Sequence, residues 1–236
     1  HSFPTRRSSD LYFVLLGPAL PDVVRQLARL TGTLSPIPKW ALGYHQSRWS
    51  YEPSSRVREV AAEFRKRGIP CDALYLDIDH MDRFKCFTWG AGFDDHDRLI
   101  DDLHAQGFKV VTILDPGLKV EPGYQPYESG LRRRMFVTGR GGRPVSGSVW
   151  AGKSHFPDFT SATVRQWWGN LVGEFAASGV DGIWCDMNEP TTFDSPFSLP
   201  PKAVHKPSYA TAVSHERVHN VYGYRSEERR GGRECT

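Results

Sequence analysis

Gly179-Val180-Asp181-Gly182-Ile183-Trp184-Cys185-Asp186-Met187-Asn188-Glu189-Pro190 is the stretch whose reading settles the fold. Gly182 to Cys185 is a short, mostly apolar run flanked by glycine and by a polar turn ending in proline. That is the pattern of a buried strand entering a loop. Side chains alternate along a strand, so Trp184 and Asp186 share one face while Ile183 and Cys185 share the other. An aromatic plate beside a carboxylate at the carboxyl end of a buried strand suits the floor of a sugar site. The same residues also fit a helix N-cap aspartate after a core strand. Taken alone they leave both readings open.

Upstream, strands and helices alternate, which implies βα units around a parallel sheet. The expected strands are Ala41 to Tyr44, Ala73 to Asp79, Lys109 to Asp115 and Gly182 to Asp186. Between them lie expected helices from Ser54 or Ser55 to Arg67, from Asp94 to Gln106 and from Ser161 to Ser178, and Tyr209 to Tyr222 begins another. In the first, Val57, Val60, Ala61 and Phe64 form one face; in the third, Val164, Trp167, Trp168, Leu171, Val172 and Phe175 do. A Gly- and Pro-rich connection from Pro116 to Pro157, roughly forty residues, is too long for a plain turn and of the size that carries function. A (β/α)₈ barrel needs about 250 residues for eight units. The expected fold is therefore α/β, the first half of a (β/α)₈ TIM barrel.

Three strands end in carboxylates: Asp77 and Asp79, Asp115, and Asp186. In such a barrel the carboxyl ends of the strands face the active site. Alternation places Tyr75, Asp77 and Asp79 on one face, with Leu74, Leu76 and Ile78 on the other, and groups Val111 and Ile113 with Asp115. Asp77 and Asp82 equally fit turn caps, and Ile113 and Phe193 equally fit the core.

Trp184-Cys185-Asp186-Met187-Asn188-Glu189-Pro190 resembles the W-x-D-M-N-E-P signature of glycoside hydrolase family 31, the α-glucosidase family. Leu76-Asp77-Ile78-Asp79-His80-Met81-Asp82 is similar to its L-D-I-D-Y-M-D, with His80 where tyrosine is common. Phe87-Thr88-Trp89, Ile113-Leu114-Asp115-Pro116-Gly117, Val149-Trp150, Phe156-Pro157-Asp158-Phe159 and His219-Asn220-Val221-Tyr222-Gly223 also match, although Ala151 replaces a usual proline. Gly43 to Tyr51 looks like the glucosidase rather than the xylosidase branch. The resemblance covers residues 12–224. It implies that Asp186 is the catalytic nucleophile and that Asp79 holds the 4-hydroxyl of the terminal sugar. It further implies that Ile113, Trp150, Trp184, Met187 and Phe193 line the sugar pocket. The implied activity is that of a retaining, exo-acting α-glucosidase that needs no cofactor and no metal, with an oligosaccharide or α-glucoside as substrate. The family keeps its acid/base on a later strand, so a chain holding only this text is expected to be inactive. Asp158 then reads as a turn residue, not a second catalytic acid. A non-catalytic carbohydrate-binding relative, an α-glucan lyase, a transglucosylase and an α-xylosidase remain alternatives. So does a glycosyltransferase using Asp77-Ile78-Asp79 as a D-x-D cation site.

The resemblance also implies that residues 12–38 are the tail of an N-terminal β-sandwich domain and its linker, with Tyr12 to Leu16 a strand and Asp22 to Leu30 a helix. Residues 39–224 are the partial catalytic barrel. Residues 1–11 and 225–236 have no hydrophobic period and read as non-native terminal scars. A net charge of +3, with basic residues scattered among acids, gives no footprint for nucleic acid. Arg132-Arg133-Arg134 reads as a solvated helix end. Cys71, Cys86, Cys185 and Cys235 show neither zinc-ligand nor disulfide spacing. His96, His104 and His155 receive no role. No apolar run reaches the length of a membrane span. Localisation and oligomeric state are not legible.

Overall fold

The computed structural model describes residues 12–33, 36–208 and 211–227. The chain divides into two compact units, His1–Ile37 and Pro38–Thr236.

In the first unit, helix α1 spans Leu20–Thr31, with proline in its first turn and Gly32 beyond its end at φ 81°. That is the asymmetry expected of a helix start and stop. The expected strand at Tyr12 to Leu16 does not form. A strand needs a partner to take its N–H and C=O groups, and among the described residues this segment has none. Residues 1–11 lie outside the described residues.

The second unit begins with a 3₁₀ turn, Lys39–Leu42, where a strand was expected. A short apolar run does not by itself separate strand from helical turn. Here Trp40 turns back to stack on His45, with ring centroids 5.7 Å apart, and the strand starts only at β1, His45–Gln46. Helix α2, Ser54–Lys66, follows; its N-cap is Pro53, and Ser54 is the first helical residue instead of the cap. Strand β2, Ala73–Leu76, is shorter than expected. The Asp77 carboxylate accepts the Ile78 N–H at 2.7 Å and starts a 3₁₀ turn at Ile78–His80, which ends the alternation. Helix α3 spans His96–Ala105 and strand β3 Lys109–Leu114.

The long connection has structure of its own. It holds β4, Leu118–Lys119; α4, Gln125–Arg132; β5, Ser146–Val149; and β6, Gly152–His155. The three strands form an antiparallel sheet in the order β4-β6-β5. Arg132, Arg133 and Arg134 are exposed at the end of α4. Helix α5, Ala162–Ala176, leads to β7, Gly182–Cys185. The hairpin of β8, Val204–His205, and β9, Val213–Ser214, precedes helix α6, His215–Glu227. Residues 209–210 lie outside the described residues, and α6 starts at His215 because Val213 and Ser214 are paired with β8. The helix continues through residues 225–227, while 228–236 lie outside the described residues.

Strands β1, β2, β3 and β7 pair in parallel and in that order. Each sequential strand lies beside the last, as βα units in a barrel wall do. Register pairs Tyr75 with Val111 and Ile113 with Trp184, so the residues expected on the inner face do meet. The sheet separates two apolar clusters. Leu74 and Leu76 pack with Val57, Ala61, Leu99, Leu103 and Phe175 under the helices. Ile113, Phe156, Phe159, Trp168, Met187 and Tyr222 pack with the long connection and α6. Ile78 belongs to this second cluster, because the turn after Leu76 swings it away from the face of Leu74 and Leu76. Each such aliphatic or phenyl side chain contributes about 1.5–3 kcal/mol on full burial.

A buried polar chain ties the long connection to α6. Asp158 lies 2.8 Å from His205 Nδ1, and His205 Nε2 lies 2.9 Å from His215 Nδ1. The Lys206 N–H donates to the other Asp158 oxygen at 2.6 Å. Asp158 is therefore an internal anchor as well as the turn residue that accepts from Thr160.

Candidate active site

The carboxyl ends of β2, β3 and β7 bring Asp77, Asp79, Asp115 and Asp186 to one side of the parallel sheet. Asp186 follows the last residue of β7 and is exposed. One of its oxygens accepts the Met187 N–H at 2.8 Å, and Met187 itself sits at φ 55°. This turn lifts the carboxylate off the strand and drives the Met187 side chain into the core. Trp184, two residues earlier on β7, is edge-on to Tyr75 with centroids 6.1 Å apart.

Across from it, Trp49 in the loop after β1 donates its indole N–H to Asp79 at 2.9 Å. Trp49 also meets Trp150 edge-on at 5.4 Å, and Trp150 meets Phe193 at 4.9 Å. The three rings make a wall whose members are 63%, 40% and 46% exposed. Trp150 follows β5, and the Phe193 loop is pinned to that strand. Phe193 N–H donates to the Ser148 carbonyl at 2.8 Å, and Ser148 N–H donates to Asp194 at 2.5 Å. Gly147 allows this approach, since a Cβ there would lie 2.5 Å from the Thr192 methyl.

The sequence-predicted residues thus fall into two groups. Asp79, Trp150 and Phe193 form a connected rim with Trp49, and Asp186 opens beside Trp184. Ile113 and Met187 are buried in the apolar floor that supports Trp184. Trp49 and Tyr75 were not among the expected site residues, and Asp115 was given no particular role. Trp49 had a visible signal in its place just past the carboxyl end of the first strand. Asp115 had one as a strand-end acid.

The electrostatics of this face are acidic. Burial raises Asp77 above the usual carboxylate range, and the charges of Asp79 and Asp186 add to it, against the Ile78 N–H bond. Asp115 is 6% exposed. Burial pushes it up to about 7, with Asp186, Asp77 and Glu189 contributing in that order. Among the described residues, Asp115 Oδ1 is buried without a hydrogen-bond partner. A cleft of about 340 Å³ lined by Phe87, Trp89, Leu171 and Phe175 holds none of these acids.

Three buried histidines set the response of stability to pH. Burial holds His80, His155 and His215 down to about 4. Below pH 6.5 the unfolded chain takes up their three protons and the native state does not. Asp115 acts in the opposite sense, since its proton is bound in the native state between pH 4 and 7 and lost from the unfolded chain. The balance near pH 5 is about two protons in favour of the unfolded state, or roughly 2–3 kcal/mol of stability lost per pH unit of acidification. Urea midpoints should therefore drop steeply from pH 6.5 to 5. A flat profile over that window contradicts the burial of these imidazoles.

A parallel βα sheet with carboxylates and exposed aromatic rings at its carboxyl edge has the arrangement of a (β/α) barrel wall, whose active sites lie at that edge. Residues 35–230 match the family model described as Glycosyl hydrolases family 31 TIM-barrel domain, and the chain belongs to that family. It is 44% identical over 214 residues to alpha-glucosidase 2 of Bacillus thermoamyloliquefaciens, covering 90% of this chain and 27% of that protein. The solved glucosidase II alpha subunit in its Glc1Man2-bound form superposes with a TM-score of 0.80 at 32% identity, covering 91% of this chain and 23% of that one. The Flavobacterium johnsoniae family 31 dextranase complexed with glucose gives 0.78 at 30% identity, covering 90% and 26%. The chain spans about a quarter of the length of the relatives it matches. In this family the parallel sheet is part of a (β/α) barrel. As a cation site, Asp77-Ile78-Asp79 has competing duties: Asp77 caps the turn and Asp79 accepts from Trp49.

Proposed function

We propose that this chain carries the nucleophile-bearing part of the active site of a retaining, exo-acting α-glucosidase. The observation that supports it best is the placement of Asp186: an exposed carboxylate at the end of a parallel strand, two residues beyond Trp184. It lies on the same side of the sheet as Asp79, which Trp49 holds in place. Asp186 attacks the anomeric carbon of a terminal α-linked glucose and forms a glycosyl ester. A second carboxylic acid, on a later strand of the family barrel and about 5–5.5 Å away, protonates the departing oxygen. The same group then takes a proton from water, which opens the ester. Two inversions return the α configuration. Asp79 fixes a sugar hydroxyl, and Trp49, Trp150 and Phe193 flank the ring and exclude water.

The test is the configuration of the first-formed product. A protein of family length carrying this sequence should release α-glucose from the non-reducing end of short α-glucosides, followed by proton NMR before mutarotation. Release of the β anomer overturns the retaining mechanism. Binding of the glucosides without any release points to a carbohydrate-binding relative.

A further inference from the structure

We propose that Asp115 is a positioning residue for Asp186: it holds a proton in the wall beneath the nucleophile and offers it to the neighbouring carboxylate. The inference rests on Asp186 acting as the nucleophile.

Geometry puts the two groups together. Leu114 and Cys185 are the last register partners of β3 and β7. Asp115 and Asp186 each lie one residue further, on strands about 4.8 Å apart. Of the charges acting on Asp115, that of Asp186 is the largest. One Asp186 oxygen is taken by the Met187 N–H. The Asp115 oxygen that lacks a partner is enclosed, and it belongs to a side chain more than nine-tenths buried. A buried donor or acceptor left unmade is costly, and a shared proton removes that cost.

Among the described residues, the charges that act on Asp115 repel its ionised form. Asp77 from the end of β2, Asp186 and Glu189 from the turn after β7 all face Asp115 with negative charge. The Cys86 thiol donates to its backbone carbonyl at 3.2 Å, leaving the carboxyl group untouched. Among the described residues, no lysine or histidine forms an ion pair with Asp77, Asp79, Asp115, Asp186 or Glu189. A carboxylic acid so enclosed among negative charges keeps its proton. That proton belongs on Asp115, because Asp186 is the exposed member and accepts an N–H bond. The burial that protonates Asp115 also excludes it as general acid, since an enclosed carboxyl cannot reach a leaving oxygen. No covalent step is assigned to it. Its hydrogen bond orients the Asp186 lone pair toward the anomeric carbon and relieves charge repulsion before attack.

Labelling by a fluorinated α-glucosyl fluoride isolates this effect, because fluoride departs without protonation and the general acid drops out of the pH profile. In a protein of family length, the labelling rate should be level at mild acid pH. It should then fall up to tenfold per pH unit above about 7 as Asp115 loses its proton. Asp115→Asn, which keeps a neutral donor in the same shape, should label at a comparable rate and lose that alkaline fall. Asp115→Ala should label about tenfold to a hundredfold more slowly at pH 6, the range for losing a hydrogen bond to a charged group. A wild-type labelling rate level from pH 6 to 9 overturns the proposal whether or not the variants fold. So does an Asp115→Asn profile that tracks the wild type. Label mapped to a residue other than Asp186 overturns the nucleophile assignment instead, so the two failures are distinguishable.

Discussion

Asp186→Ala, in a protein of family length, lowers kcat by a factor on the order of 10⁴ to 10⁶, the loss that follows deletion of a catalytic nucleophile. The effect is chemical. Asp186 is exposed, and its carboxylate accepts one backbone N–H, from Met187. Losing such a contact at a surface turn costs about 1 kcal/mol, too little to unfold the protein. The thermal midpoint should move by only a few degrees while turnover all but vanishes. Azide should restore activity on activated substrates, because a small anion fits the space vacated by the carboxylate and attacks from the same face. The product is then the β-configured glucosyl azide, the result of one inversion instead of two. An Asp186→Ala variant within tenfold of wild type ends the assignment, and so does a rescued product of α configuration.

The βα alternation was legible because hydrophobic period and length both pointed the same way. Strand β3 lacks only the terminal Asp115 of its expected range, and the buried residues of α5 fall on the expected stripe. What escaped the sequence were places where one polar contact outweighs local pattern. Leu76-Asp77-Ile78-Asp79 alternates well enough to read as strand, yet the Asp77 carboxylate captures the next N–H and the chain turns. Ala41 to Tyr44 reads as a strand, yet Trp40 turns back to stack on His45 and the segment forms a 3₁₀ turn. The long connection was read by its length and its Gly and Pro content, without elements of its own. It forms a small antiparallel sheet with one helix, and Gly147 lets the Thr192 loop lie close to its edge strand β5. At the site, the motif text pointed to Asp79 and Asp186 and to Trp150 and Phe193, two of the three wall rings. Trp49 escaped because its partners Asp79 and Trp150 lie 30 and about a hundred residues away, and only the folded sheet edge brings them together.

That contact makes Asp79 the second large-effect position. The Trp49 indole donates to one Asp79 oxygen and leaves the other free to accept from a sugar hydroxyl. A site built to bond a hydroxyl discriminates by the cost of leaving that partner unmade, which supports factors of about 10⁴. Asp79→Ala should therefore lower kcat/KM by about 10² to 10⁴. Both kcat and KM should move, because the hydroxyl contact holds the ring in the ground state and tightens as the ring distorts. Trp49→Phe keeps the wall and removes only the donor, so about a tenfold loss is expected from one hydrogen bond to a charged acceptor. The double variant should lose little beyond Asp79→Ala, since the two act as a unit. A glucoside lacking its 4-hydroxyl should be a poor substrate for the wild type, and no poorer for Asp79→Ala. In every one of these variants a slow fluorinated substrate should still label Asp186, since the nucleophile itself is untouched. Label found on Asp79, or an Asp79→Ala enzyme within fivefold of wild type, removes Asp79 from the substrate contacts and leaves the Trp49 bond a purely structural one.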